Sequence, residues 1–290
     1  SNYAITPLEA PSRDGKLIKV MCVDAKDVDV HNPRVQSKCL MKFYGCYGLS
    51  NDFGYNVSDW NYLEKDWVIA YPLIRGGGEL GRRLHTEAIL EHKYRTVNDI
   101  EDVAIFLSAS NISHKSLLCA KSSSAGAGML ASCLNQNKDL FKAVVLDSPF
   151  LDMLNMLLDP DLPLSQSDYE EFGDPSDPLY LKSIWSLCPY SNIRPIEYPF
   201  ILINAFKNDY RTPLWQVMKY IARMRQTGRV SKRIIEVANT NVFLNLMNGS
   251  HKAANSGQDE IELKCLELEL LEHFIGAKST DVMFDQRIGL

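Results

Sequence analysis

A chain of 290 residues, 46% of them hydrophobic, is long enough to bury the core of one large domain. Its formal net charge of −5 is spread along the chain and leaves no basic footprint for nucleic acid, and no apolar run approaches the ~20 residues of a membrane-spanning helix. The seven cysteines (Cys22, Cys39, Cys46, Cys119, Cys133, Cys188 and Cys265) are odd in number and contain no CxxC pair, so they predict reduced, buried thiols rather than a disulfide framework or a zinc site. The expectation is a cytoplasmic protein without metal or cofactor.

In chain order, the opening SNYAITP lacks the basic-then-apolar pattern of a secretory leader. Strand-like runs follow at 17–23, 39–45, 67–74, 116–121, 142–147, 200–206 and 233–239, and helix-like spacing at 97–108, 126–140, 214–226 and 258–275. Strands alternating with helices predict an α/β fold: a mostly parallel, doubly wound sheet covered by helices on both faces, with ligands at the carboxyl ends of the strands. The Pro- and Asp-rich stretch 158–180 reads as the longest irregular insertion, and long loops of this kind tend to be functional.

Three consecutive serines, in KSSSAGAG at 121–128, stand where a strand turns into a helix. A nucleophile elbow needs small residues two before and two after its serine, so that strand and helix can pass closely. Ser124 meets this best, with Ser122 before it and Gly126 after it; Ser123 would have Ala125 at the second position and Ser122 would have Ser124. Such a nucleophile requires, in this fold, an acid and then a histidine later in the chain. Of the two downstream histidines, His273 sits inside a helical run, whereas His251 lies in a polar loop after an apolar strand, where a general base belongs. Asp209 follows the apolar run 200–206 and precedes a helix that starts near Pro213, the position from which a carboxylate would orient an imidazole.

Beyond this point the stretches YGCYG (44–48), IRGGGELGRR (74–83), SSSAGAG (122–128), YEEFGDP (169–175), CPYSNI (188–193), YPFILINAFKNDYRTP (198–213) and GSHK (249–252) resemble, in order, the catalytic domain of the prolyl oligopeptidase family. The likeness is greatest to oligopeptidase B and the prolyl endopeptidase-like proteins, and it implies an α/β-hydrolase domain over 1–290. It implies Ser124 as nucleophile, Asp209 as acid and His251 as base. Tyr44 and the backbone N–H of Ala125 would form the oxyanion hole, and Arg211 would bind a substrate carbonyl. Asp168 and Glu170 correspond to two carboxylates that hold a basic side chain before the scissile bond. Departures from the pattern are Ser122 and Ala127 in place of glycines, and Ser250 and Lys252 beside the histidine.

Family members carry a β-propeller ahead of this domain, and this chain has no such repeats, so it reads either as part of a longer protein, with the propeller segment elsewhere on it, or as a free-standing catalytic domain. Three functions are weighed: a serine peptidase cutting short peptides after Arg or Lys, an esterase or thioesterase acting on small esters, and an inactive scaffold subunit. The intact Ser, Asp, His and Tyr set favours the first two.

Overall fold

Alternate side chains of the strand Phe200–Phe206 enter two different cores, Ile201, Ile203 and Ala205 one of them, Phe200 and Leu202 the other. A strand buried on both faces has no polar side to show, which explains its continuous apolar run and suits it to the middle of a parallel sheet. The computed structural model describes residues 3–25, 36–51, 57–162, 165–227, 241–251, 253–254 and 256–276 and has this architecture. Its main sheet comprises β1 (Tyr3–Pro11), β2 (Leu17–Ala25), β3 (Lys38–Lys42), β4 (Trp67–Pro72), β5 (Leu118–Ser123), β6 (Ala143–Asp147), β7 (Phe200–Phe206) and β8 (Val242–Met247). These lie in the order β1-β2-β4-β3-β5-β6-β7-β8. Pairing is antiparallel from β1 through β2 to β4 and parallel from there to β8. A two-stranded ladder, β9 (Gly249–Ser250) with β10 (Ala253–Ala254), follows β8.

Helices cover both faces. The larger core receives α3 (Tyr94–Ala109), α4 (Ser124–Gln136) and α8 (Leu214–Thr227) through residues such as Ile100, Leu130 and Tyr220. The opposite face receives α1 (Val57–Leu63) and the last helix, α9 (Gly257–Gly276), through Tyr62, Leu271 and Phe274. Phe274 stacks on Phe200 with ring centroids 4.4 Å apart, and burial of a side chain of this size contributes about 1.5–3 kcal/mol, enough to seat the end of α9 on the sheet. Toward the carboxyl ends of the strands this face turns polar: Ser123, Asp147, Asn204 and Asn245 are register neighbours across β5 to β8. Lys121 bridges Asp147 (3.2 Å) and the buried Glu267 of α9.

The four helices and six of the seven strands expected from the sequence are present, with ends shifted by a few residues; the strand expected at 233–239 lies outside the described residues. No expected run corresponds to β1, β8, α1, α2 (Arg82–Thr86) or α5 (Met153–Leu158). Correction is also needed at 158–180, which is not wholly irregular: α6 (Tyr169–Phe172) lies inside it and α7 (Pro178–Leu187) begins there. The start of α7 has a clear cause, since Asp177 accepts from the Leu179 N–H at 2.8 Å and Pro178 occupies the first turn, where no amide donor is needed. Six cysteines are buried as expected, but Cys265 is exposed. Among the described residues no helix is long and apolar enough to cross a membrane, and no cluster of His, Cys, Asp and Glu is arranged to hold a metal ion.

Candidate active site

β5 stays extended through Ser123 (φ −133°, ψ 156°), and the chain then reverses sharply at Ser124, whose φ of 51° lies in the left-handed region. That conformation is costly for a residue with a Cβ, and α4 starts at once behind it, which lifts the Ser124 side chain off the strand end. Gly126 is obligatory here: a Cβ would sit 2.5 Å from both Ser122 Oγ and the Tyr44 carbonyl oxygen. The departures at 122 and 127 are accommodated. Ser122 is buried and donates to the Phe43 carbonyl at 2.8 Å, while Ala127 packs fully inside the larger core. The second close approach falls at Gly128, where a Cβ would collide with the Phe150 carbonyl. Ser250 is exposed, and Lys252 lies outside the described residues.

The three residues expected to act together meet. His251 Nε2 is 3.1 Å from Ser124 Oγ, and His251 Nδ1 is 2.8 Å from Asp209 Oδ2. The His251 and Asp209 side chains are only 8% and 2% exposed. Asp209 is held tightly: its Oδ1 accepts from the backbone N–H groups of Arg211 and Thr212, each at 2.9 Å, and its Oδ2 accepts from the Thr212 hydroxyl at 2.8 Å. Burial pushes the carboxyl pKa up, but the bonds from His251 and Thr212 outweigh it and hold the group below the ordinary carboxylate range. The carboxylate therefore stays ionised and fixes the imidazole so that Nε2 faces the serine. Thr212, which has no counterpart among the residues expected from the sequence, also lies 3.2 Å from His251 Nδ1, and its one hydroxyl proton is shared between Asp209 Oδ2 and the Ser148 carbonyl at 3.0 Å.

The flanking groups follow from two turns. Tyr44, at the end of β3, is half-buried and hydrogen-bonded to Ser124, and burial raises its phenol well above the ordinary value. Ala125 is buried in the first turn of α4, where backbone N–H groups and the helix dipole favour negative charge. Asp168 accepts from the Tyr47 hydroxyl at 3.0 Å. Burial is the main cause that raises its pKa to about 6, opposed by Tyr47 and the field of Arg211 and reinforced by Glu171. Arg211 is exposed, and its charge is felt by both Asp168 and Tyr44.

Glu170 does not join this group. It is exposed, and its neighbour Glu171 is the buried carboxylate, 2% exposed, bonded to Lys93 Nζ (2.5 Å) and His85 Nε2 (2.8 Å). A cavity of about 650 Å³ opens beside Ser122 and Ser123 and is lined by Lys42, Tyr44, Lys121, Asp147 and Lys264, among others; Ser124 and His251 are not part of it. Chemically, the set around Ser124 amounts to a hydroxyl within proton-transfer reach of an oriented imidazole, with a phenol bonded to it and the first turn of α4 directly behind it.

Residues 54–259 match the prolyl oligopeptidase family, Peptidase S9. The human protein named prolyl endopeptidase-like is 32% identical over 282 residues, which cover 96% of this chain and 38% of that protein. Dipeptidyl aminopeptidase BI of Pseudoxanthomonas mexicana is 32% identical over 234 residues, covering 79% of this chain and 32% of the relative. Among solved structures, oligopeptidase B from Leishmania major superposes with a TM-score of 0.87 at 27% identity, covering 95% of this chain and 37% of that one. The chain thus spans about a third of the length of the relatives it matches.

Proposed function

Because the chain belongs to the prolyl oligopeptidase family, we propose that it is a serine hydrolase of the peptidase type that works through an acyl-enzyme. The single observation carrying this reading is the unbroken hydrogen-bonded line from Ser124 Oγ through His251 to Asp209, at 3.1 and 2.8 Å. Ser124 attacks the substrate carbonyl while His251 Nε2 takes its proton, and Asp209 stabilises the imidazolium that results. The carbonyl oxygen, now negative, is met by the Tyr44 hydroxyl and the Ala125 N–H, donors of a kind worth about 2.7–4 kcal/mol each in the transition state. His251 then protonates the leaving amine or alcohol, and a water activated by the same imidazole releases the acid.

For substrate, the half-buried Asp168 supports a preference for Arg or Lys before the cut, and the exposed Arg211 supports binding of a substrate carbonyl. The outward position of Glu170 leaves one carboxylate, not two, to hold the cation. This favours a second reading, an esterase or thioesterase with little need for a basic side chain.

A fluorophosphonate probe followed by matched Arg-peptide, Arg-ester and uncharged thioester substrates tests both readings. The expected adduct is on Ser124, and Ser124→Ala should abolish labelling and lower turnover by about 10⁴-fold or more. Labelling that survives this substitution would remove the triad assignment. Turnover of esters without the matching peptides would give the second reading precedence.

A further inference from the structure

Lys93 is fully buried, yet it belongs neither to the triad nor to any substrate-facing group. Its ammonium donates to the Gly45 carbonyl at 2.8 Å and to Glu171 Oε1 at 2.5 Å, and it lies 5.9 Å from the centroid of the Phe172 ring. The other oxygen of Glu171 meets His85 Nε2 at 2.8 Å. Each partner adjoins a group already singled out. Gly45 directly follows Tyr44 and takes a φ of 70°, and Glu171 stands three residues after Asp168 in the same short helical turn. Tyr47 closes the link, since its hydroxyl bonds Asp168 while its ring lies 6.1 Å from that of Phe172.

A buried ion pair costs desolvation that its own attraction barely offsets, and apolar residues of similar volume would fill the space as well. The pair does hold two loops from distant parts of the chain in one register. We propose that Lys93 and Glu171 are positioning residues: a buried strut that sets the Tyr44 hydroxyl and the Asp168 carboxylate together with respect to Ser124. Stabilisation of the oxyanion and recognition of the substrate cation are then coupled through one ammonium, and neither group can shift without the other. The inference rests on the hydrolase reading for its kinetic consequences, but its structural core is independent of it.

The test uses the full chain with Lys93→Met and Glu171→Met together, which replaces the pair with apolar side chains and leaves no uncompensated charge; His85→Gln, at a partly exposed site, is the milder second variant. In the paired variant, hydrogen exchange should speed up for the amides of 44–49 and of 171–173 together while α4 keeps its protection. On an activated ester, kcat should fall about tenfold with KM nearly unchanged, and the effect should shrink to less than about twofold in a Tyr44→Phe background, as coupled residues in a double-mutant cycle require. Preference for Arg over an uncharged ester should fall as well, but not in an Asp168→Asn background. His85→Gln should move the same quantities in the same direction by a smaller factor. Unchanged exchange in both segments overturns the proposal whether or not the protein is a hydrolase. Kinetic losses of equal size with and without the Tyr44 hydroxyl also overturn it, because they would reflect general destabilisation. Absence of any Ser124 labelling in the unsubstituted protein would instead defeat the hydrolase reading and leave the exchange result to decide on the strut.

Discussion

Ser122 stands where the elbow of the family carries glycine, and its hydroxyl has become part of the turn by bonding the buried Phe43 carbonyl at 2.8 Å. Restoring the glycine should therefore weaken the protein. Ser122→Gly is expected to cost about 1–2 kcal/mol in chemical denaturation, from the lost bond and the added freedom of the unfolded chain, while Ser124 labelling persists. Thr212 is a second residue whose role is set by contact. Its hydroxyl shares one proton between Asp209 and the Ser148 carbonyl and borders His251 Nδ1. Thr212→Val should lower kcat/KM on an activated ester about tenfold, on the scale of one bond to a charged group, and Thr212→Ser should restore most of it; a Val variant as active as the parent would confine the hydroxyl to a packing role. The triad candidates were legible because their spacing and order obey simple chain rules. Thr212 was not, since a threonine in a polar loop has no pattern, and nothing in the pair Glu170–Glu171 tells which of the two turns inward. Adjacent carboxylates on a helix point about 100° apart, and the choice between them was made by Lys93, 78 residues away in the sequence.

At the scale of elements, the stretch 158–180 is partly ordered, and that order places Asp168. α6 begins directly after Asp168, which serves as its N-cap residue without a side-chain bond to the helix, so the carboxylate is left to Tyr47 and the site. With its pKa raised by burial to about 6, Asp168 loses its charge as the pH falls through that value. The ratio of kcat/KM for an Arg ester to that for an uncharged ester is expected to fall across the same range, and a flat ratio from pH 5 to 8 would separate Asp168 from substrate recognition. The sign for stability is the opposite: because folding raises this pKa from 3.8, the group favours the folded state most at low pH, and that contribution is lost as pH rises through about 6. The strongly periodic helices and the doubly buried strands were readable in the sequence because burial on a whole face imposes a repeat. The short helices α2, α5 and α6 were not, since 4–6 residues are too few for a period to emerge, and they form through contacts with distant elements.

On the scale of the whole molecule, the three candidate catalytic residues are unequally anchored. Ser124 issues from β5 and Asp209 from beyond β7, both strands flanked on two sides, whereas His251 hangs from beyond β8. Among the described residues β8 pairs only with β7, and past Val242 its side chains are partly or wholly exposed, Leu246 by 40%. A strand of this kind belongs to the low end of the range of local opening energies, below the global value that governs the centre of the sheet. Heating should then detach the base while the elbow and both cores remain intact. Hydrolytic activity is expected to disappear several degrees below the loss of near-ultraviolet circular dichroism and to return at once on brief cooling, because nothing but one edge has to re-form. Superimposable inactivation and unfolding curves would mean that the edge strand melts only with the rest. If the two curves separate, the temperature at which this protein works is limited by its rim, and stabilising the core would not raise it.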